Sequence, residues 1–253
     1  LLKTNPLSAS VHYLAVPWAH LINSNQLSTV PHFKLNGGFT ICQHIQFATI
    51  IPLLKKIGID TLFTPHVKRS MNYDTIHVVP FPHYAVNGTQ PTDKDIWYSF
   101  IGFDTDPVRR EIFKLPTAPE IYIKKRAAWH FYQPPEIQIL EKKEYQDILA
   151  RSRFSLCPRG TGASTVRFWE SLQAGAIPVL ISDEMCLPEG VDWTSCIIQI
   201  YERRVKHINT ILSTIDCDTE TIMRKNALLA YEAFSGSNFI SPILRHYQDQ
   251  SEE

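Results

Sequence analysis

Apolar and polar positions alternate along the chain in two ways, which predict two kinds of secondary structure. Short apolar runs bounded by Gly, Pro or polar residues are typical of buried strands, whereas apolar residues three and four positions apart are typical of helices. In the first part of the chain this pattern predicts strands over 11–18, 60–66 and 76–86 and a helix over 40–56. Pro52 predicts a kink or a restart inside that helix, and Gly58 predicts its end.

The alternation starts again after residues 87–95, which lack periodicity, combine Gly, Pro and charged residues, and therefore predict a linker. Beyond the linker the pattern predicts strands over 96–103, 153–158, 176–182 and 195–201, and helices over 107–113, 141–152, 164–174, 204–215 and 219–234. Strands that alternate with helices indicate βαβ units and parallel sheets. The chain is thus predicted to be an α/β protein, in which two Rossmann-like domains (1–90 and 91–237) face a cleft. The tail, 238–253, is expected to pack back on the first domain.

The composition excludes several classes of protein. The chain has 25 Lys and Arg residues against 25 Asp and Glu residues, and this zero formal charge argues against a nucleic-acid partner. Its five cysteines form no CxxC pair, which favours a reducing compartment over a disulfide framework or a zinc site. No apolar run approaches the roughly 18–20 residues that a membrane span needs, so we expect no membrane span in this chain.

The candidate chemistry is concentrated in the glycine-bearing turn 158–164, between a predicted strand and a predicted helix. The start of a helix offers unpaired N–H groups and the positive end of a dipole, which predicts a phosphate or diphosphate site. Arg159 and Arg167 bracket this helix start, and Glu170 shares a helix face with Arg167. The turn is neither a Walker A loop nor a Cys-x5-Arg phosphatase loop.

The turn partly matches a dinucleotide fingerprint. Gly160 and Gly162 supply the first two glycines, but Thr165 stands where the third small residue belongs. Asp183 ends the next predicted strand, about 20 residues on, where a ribose-binding acid would lie. An NAD(P)-dependent oxidoreductase with a degenerate fingerprint is therefore one alternative reading.

The run YQDILARSRFSLCPRGTGASTVRFWESLQAGAIPVLISDEMCLPEGVDW resembles the signature of the exostosin family of glycosyltransferases. The matching segments are Tyr145, the strand and turn 152–160, the helix and strand 167–179, and the segment 187–193. Upstream, SFIGFDTDPVRREIF is similar to another family element and aligns Arg109 with its arginine. KLNGGFTICQHIQF is weakly similar to a family segment that ends at His44, with Gln43 where the family has an acid. The chain is compact for the family and resembles a viral or bacterial type.

The resemblance implies a GT-B fold and an inverting transfer of a sugar, such as xylose, a hexose or a uronic acid, from a UDP-sugar to a glycan hydroxyl. The acceptor that it implies is a glycan or a glycoprotein. It implies that the C-terminal half binds the donor through Arg109, Arg159, Gly160, Thr161, Gly162, Ser164, Arg167 and Glu170. No cofactor and no metal are implied beyond the donor itself. The triplet Asp104-Thr105-Asp106 formally matches a metal-binding DxD motif, so a divalent metal is the alternative, although Asp106-Pro107 is equally typical of a helix start.

An inverting reaction needs a general base from the opposite wall of the cleft. His44 is the first candidate because it lies in the weak family match, and His66 is the second because it ends a predicted strand. His83 is a further candidate for the base. We also expect His83 to bind the acceptor, together with Trp18, which lies at another predicted strand end. A sugar-nucleotide or glycan-binding module without catalysis is a further alternative. We expect a cytoplasmic enzyme, in the host cytoplasm if it is viral, or else a soluble catalytic fragment of a Golgi-anchored enzyme.

Overall fold

The computed structural model describes residues 11–249 except 32, 74, 86, 87, 130 and 131. Within these residues the strands form two parallel sheets, and helices flank both sheets, which confirms the predicted fold class. The predicted domain boundaries at 90 and 237 stay predictions. The first ten residues of the first domain, the end of the predicted strand 76–86 and the last residues of the tail lie outside the described residues.

The N-terminal sheet has the order β1-β2-β3, formed by Phe39–Ile41, Thr61–Thr64 and His77–Pro80. Helix α1 covers Trp18–Asn23, and helix α2 covers Ile51–Ile57. Gly58 ends α2 as predicted, with a left-handed φ of 82°. A Cβ at this position would lie 2.0 Å from the carbonyl oxygen of Leu35, so the close approach of the backbone also requires glycine.

Two predictions for this half were wrong. The strand over 11–18 is reduced to a single bridge between Tyr13 and Phe39, because α1 begins at Trp18 and turns that side chain into the core. The helix over 40–56 includes residues that belong to β1, and its helical part begins with the 3-10 turn Phe47–Ile50. The apolar spacing of a short buried strand followed by a helix resembles one longer helix. The restart at Pro52 is confirmed, since Pro52 lies in the first turn of α2.

The C-terminal sheet has the order β5-β4-β6-β7-β8, with all strands parallel. These strands are β4 (Ile96–Gly102), β5 (Ile121–Lys125), β6 (Ser152–Pro158), β7 (Ile177–Ile181) and β8 (Ile198–Gln199). The helices of this half are α3 (Pro107–Ile112), α4 (Pro135–Arg151), α5 (Val166–Gln173), α6 (Ile208–Leu212) and α7 (Cys217–Glu232). Sequence patterns missed β5 because it is a partly exposed edge strand that ends in two lysines.

Apolar cores cover both faces of the C-terminal sheet. One core includes Phe100, Phe154 and Val179, and the other includes Phe168 and Trp169 from α5. Helix α8 (Ser241–Asp249) brings the chain back to the first half, where its Ile243 packs with Phe63 and Phe81. No helix in the described part of the chain is both long and apolar enough to cross a bilayer.

Candidate functional site

A cleft of about 740 Å³ opens between the two halves, at the carboxyl ends of the strands. This is the edge at which open α/β sheets bind ligands. The N-terminal half contributes Asn23, Gln43, His44, Ile45, His66 and His83 to its walls. The C-terminal half contributes residues of the loop after β4, the loop after β5, α4, and the turn and helix after β6.

The turn after β6 is held by hydrogen bonds to the neighbouring strand. The N–H of Arg159 donates to the carbonyl of Ile181 at 3.0 Å, and the hydroxyl of Ser182 donates to the carbonyl of Ala163 at 2.7 Å. Helix α5 then begins at Val166, with Thr165 as its N-cap, two residues later than predicted. Residues from Gly160 to Arg167, Ala163 excepted, line the cleft. The first turn of α5 therefore presents its positive end to the cleft.

Arg109 and Arg167 both line the cleft, where the ring of Phe100 supports both guanidinium groups. Their Cζ atoms lie 5.7 Å and 4.8 Å from the ring centroid, respectively. Arg109 donates to the carbonyls of Arg159 at 2.9 Å and Phe103 at 3.2 Å, and Arg167 donates to the carbonyl of Ile101. The carbonyls fix the direction of both guanidinium groups without neutralising them.

Neither arginine forms an ion pair with a carboxylate among the described residues. Burial, and then the nearby charge of Arg167, lower the pKa of Arg109 to about 10. The Nε of Arg167 is buried without a hydrogen-bond partner within the described part of the chain. Two cations that form no ion pair with a carboxylate of the described chain, beside a helix N-terminus, form a strong site for an anion.

Arg159, predicted to act with these two arginines, is not brought to the cleft. Its guanidinium pairs with Asp106 at 2.9 Å and with Glu202 at 3.2 Å, and its side chain does not line the cleft walls. These two carboxylates already compensate its charge. The backbone of Arg159 still supports the site, because its carbonyl oxygen accepts the bond from Arg109.

Glu170 lines the cleft although only 4% of its surface is exposed. It accepts a hydrogen bond of 2.6 Å from the hydroxyl of Tyr145, which joins α4 to α5. The Tyr145 ring also lies under the guanidinium of Arg167, at 4.9 Å. Burial raises the pKa of Tyr145 well above its usual value, so its hydroxyl remains a donor.

A buried hydrogen-bonded trio joins the two halves across the cleft. The hydroxyl of Ser164 lies 2.8 Å from Nδ1 of His66 and 2.8 Å from Nε2 of His83. Nε2 of His66 lies 3.1 Å from the carbonyl oxygen of Gln43. Burial is the main cause that lowers the pKa of His66 to about 4 and that of His83 to about 3, so both rings are neutral near pH 7.

His44 also lines the cleft, but both of its ring nitrogens are engaged. Its Nδ1 accepts a hydrogen bond from the N–H of Gln46 at 3.2 Å. Its Nε2 lies 3.0 Å from the side-chain oxygen of Asn23 and donates to it, since that oxygen can only accept. A role as general base would require His44 to give up one of these partners.

The structure contradicts the acceptor-side prediction for Trp18. This side chain is 2% exposed, lies in the N-terminal core and donates from Nε1 to the hydroxyl of Thr40 at 2.7 Å. The tryptophan that lines the cleft is Trp129, which is 45% exposed. Sequence reasoning also missed Phe100, because an aromatic residue inside an apolar strand is typical of a core.

The acidic residues of the possible metal motif and of the possible dinucleotide site form other contacts. Asp104 pairs with Arg110 at 3.4 Å and Lys125 at 3.1 Å, while Asp106 caps α3 through the N–H of Val108. Asp183, the ribose-binding acid of a dinucleotide site, accepts from the N–H of Glu202 at 3.0 Å and does not line the cleft. Within the described part of the chain, no cluster of three or more His, Cys, Asp or Glu residues is arranged to hold a metal ion.

Comparisons with known proteins agree with the resemblance. Residues 50–215 match the family model described as the exostosin GT47 domain. An exostosin-1 homolog of Caenorhabditis elegans is 35% identical over 112 residues, which are 42% of this chain and 29% of that protein. A probable β-1,4-xylosyltransferase of Arabidopsis thaliana is 27% identical over 231 residues, which are 84% of this chain and 52% of that protein.

Among solved structures, the pneumococcal O-GlcNAc transferase in complex with UDP and GlcNAc aligns with 93% of this chain and 47% of its own. The two share 12% sequence identity, with a TM-score of 0.42. The chain spans about half the length of the plant relative and less than a third of the worm relative. Because the family model matches more than half of the residues, the chain belongs to the exostosin GT47 family.

Proposed function

We propose that this chain is the catalytic unit of an inverting glycosyltransferase that transfers a sugar from a UDP-sugar to a glycan hydroxyl. The observation that carries the proposal is the pair of cleft arginines, Arg109 and Arg167, which face the start of α5 without a carboxylate partner among the described residues. Relatives in the family are named as glucuronosyl- and xylosyltransferases. A uronic acid or xylose is accordingly our first choice of donor sugar, followed by a hexose.

The electrostatics of the cleft suit a departing nucleoside diphosphate. Negative charge grows on the diphosphate when the bond to the sugar breaks, and preorganised donors stabilise that charge in the transition state. Phe100 and three backbone carbonyls already fix the two guanidinium groups, so little reorganisation is needed. The backbone of 160–165 and the first turn of α5 add N–H groups on the same side of the cleft.

Glu170 is proposed to accept hydrogen bonds from hydroxyl groups of the donor, either on its ribose or on its sugar. It lines the cleft on the same helix as Arg167, and its position is fixed by the bond from Tyr145. A carboxylate held by another donor offers acceptor positions in a fixed direction. This arrangement binds the polar sugar next to the cationic diphosphate site.

We further propose that the reaction proceeds without a metal ion. Cations of the chain already compensate both carboxylates of the triplet 104–106, since Asp104 pairs with Arg110 and Lys125, and Asp106 pairs with Arg159. The arginines and the helix N-terminus would supply the positive charge that a metal supplies in other transferases. EDTA is therefore expected to leave donor binding and turnover unchanged.

Thermal shift assays test the donor site directly. UDP at 100 times its Kd is expected to stabilise the protein by about 2.7 kcal/mol. Arg167→Gln should abolish this shift. Arg151→Gln, which removes an exposed arginine that pairs with Asp95 and Asp147 outside the cleft, should keep it. If neither UDP nor any UDP-sugar shifts the melting temperature, the proposed donor site is wrong.

A UDP-release assay then tests catalysis. UDP-glucuronic acid, UDP-xylose, UDP-galactose and UDP-N-acetylglucosamine are offered with water or oligosaccharides as acceptors. Release of UDP from at least one donor supports the proposal. Binding of UDP without release from any donor would instead identify a sugar-nucleotide-binding module, whereas a thermal shift with NAD(P) alone would favour the oxidoreductase.

A further inference from the structure

The positions of the protons in the trio Ser164, His66 and His83 follow from the chemistry of their partners. The carbonyl oxygen of Gln43 can only accept, so Nε2 of His66 must carry a proton and donate to it. In a neutral ring Nδ1 is then a bare lone pair, which accepts the hydroxyl proton of Ser164 at 2.8 Å. With its one proton used, the Ser164 oxygen must accept from His83.

His83 is therefore protonated on Nε2, and the lone pair of its Nδ1 is left over. This nitrogen forms no hydrogen bond within the described part of the chain. It is not fully buried either, so a hydroxyl group can reach it. His83 lines the cleft and is 9% exposed. In contrast, His44 and His66 use both ring nitrogens.

We propose that Nδ1 of His83 is the general base of the transfer and that Ser164 and His66 are positioning residues that carry its proton onward. This inference rests on the proposed function, because it assigns a catalytic group to the same cleft. The sequence analysis ranked His44 first and His66 second for this role and named His83 as a further candidate on the acceptor side, so the proposal changes that order.

The proposed step moves one proton and leaves all three residues intact. Nδ1 of His83 takes the proton of the acceptor hydroxyl while that oxygen bonds to the anomeric carbon and the diphosphate leaves. Nε2 of His83 passes its proton to the Ser164 oxygen, and Ser164 passes its own hydroxyl proton to Nδ1 of His66. The imidazolium of His66 is then stabilised by the carbonyl of Gln43.

The surroundings explain why the base is weak at rest and stronger with the donor bound. Burial lowers the pKa of both rings, and the charges of His44 and Lys68 lower that of His66 further. A diphosphate held by Arg109 and Arg167 would bring negative charge into the same cleft, which favours protonation of a nearby imidazole. Proton uptake is thereby coupled to occupation of the donor site.

Nitrogen-15 NMR of the histidine rings tests the proton positions without any activity. We expect both His66 and His83 to show the neutral Nε2–H tautomer at pH 7. In Ser164→Ala the signals of both rings should shift, whereas Ser164→Thr, which keeps the hydroxyl, should restore them. An Nδ1–H tautomer at His83 would overturn the proposal, whatever the enzyme does with its substrates.

Kinetics test the catalytic role. In His83→Gln the amide nitrogen can still donate to Ser164 but no basic nitrogen remains, so kcat for UDP release should fall by about 10²–10⁴-fold. Its Kd for UDP should stay at the wild-type value. His207→Gln, an exposed position outside the cleft, serves as the control and should retain kcat.

The two proposals fail in different ways. If the wild-type protein releases UDP and His83→Gln has the same kcat, His83 is not the general base. The proposed glycosyltransferase activity is unaffected by that result. A wild-type protein that neither binds UDP nor releases it overturns the proposed function, and the NMR tautomers still decide whether His83 carries an open lone pair.

Discussion

The hydroxyl of Tyr145 donates to the carboxylate of Glu170 across 2.6 Å, and this hydrogen bond joins α4 to α5 at the wall of the cleft. The tyrosine ring also lies 4.9 Å from Cζ of Arg167, and all three residues line the cleft. The diphosphate site and the proposed sugar site are therefore parts of one packed unit. A change in either residue should affect donor binding and stability together.

Tyr145→Phe is expected to lower the free energy of unfolding by about 1–3 kcal/mol, because it removes a hydrogen bond to a buried carboxylate. Affinity for a UDP-sugar should fall with it. Urea unfolding and donor titration measure the two effects. Tyr122→Phe is the matched control, since Tyr122 donates to Glu144 at 2.5 Å in a more exposed place and should cost less. Equal losses in the two variants would contradict this explanation.

Gly160 and Gly162 lie two residues apart in the same turn but differ in the room around them. A Cβ at Gly162 would lie 3.0 Å from Nδ1 of His66 and 3.1 Å from Ile45, whereas a Cβ at Gly160 would meet only the end of Arg109 at 3.4 Å. Gly162→Ala should therefore lower stability by about 1–3 kcal/mol and weaken UDP binding. Gly160→Ala should cause much smaller losses of stability and of UDP affinity. Larger losses in Gly160→Ala than in Gly162→Ala would contradict the tight packing of Gly162 against His66.

Acid should destabilise the protein through the two buried histidines. A histidine whose pKa is lowered in the folded state binds fewer protons there than in the unfolded state, so stability falls as the pH drops from about 6.5 towards the folded pKa values of about 4 and 3. The contribution of His66 is at most about 3 kcal/mol. Urea unfolding of wild type, His83→Gln and the control His207→Gln between pH 4 and 8 measures it. If the free energy of unfolding falls as steeply with decreasing pH in His83→Gln as in wild type, His83 does not contribute to the acid destabilisation.

The sequence was sufficient for most of the C-terminal half because its central strands are mostly apolar and almost wholly buried. Both β6 and β7 are buried on both faces, and Gly and Pro residues lie in the turns that flank them. The local sequence alone therefore predicts these strands. The exposed strand β5 and the short strand β1 lack this signal. Their place depends on the neighbouring strands, which no local pattern records.

The site was predictable in part for the same reason. Arg167 and Glu170 lie on one helix, so their shared face follows from helical spacing. Arg159 could not be separated from Arg167 by residue type, since only the geometry of the turn directs it to Asp106 and Glu202. The trio of Ser164, His66 and His83 joins residues 81 and 98 positions apart, and such contacts depend on how the two halves pack.

Lys94 links the ends of the two helices that carry the proposed sugar site. Its ammonium group donates to the carbonyls of Ala150 at 2.5 Å and Ala174 at 2.7 Å, at the carboxyl ends of α4 and α5. Burial, with the nearby charge of Arg224, lowers its pKa to about 7. Lys94→Met removes both bonds and should lower the free energy of unfolding by about 1–3 kcal/mol.

The pH dependence of Lys94 has a definite sign. Between about pH 7 and 10 the unfolded chain binds more protons at this lysine than the folded chain, so its contribution to stability rises with pH. At each pH, the free energy of unfolding of Lys94→Met is subtracted from that of wild type. This difference cancels the contributions of the other groups that titrate in this range. The difference should grow between pH 7 and 9.5, because the neutral amine still donates to both carbonyls without the cost of a buried charge. A difference that shrinks over this range would mean that the lysine stays charged, and that its attraction to the two helix ends outweighs its burial.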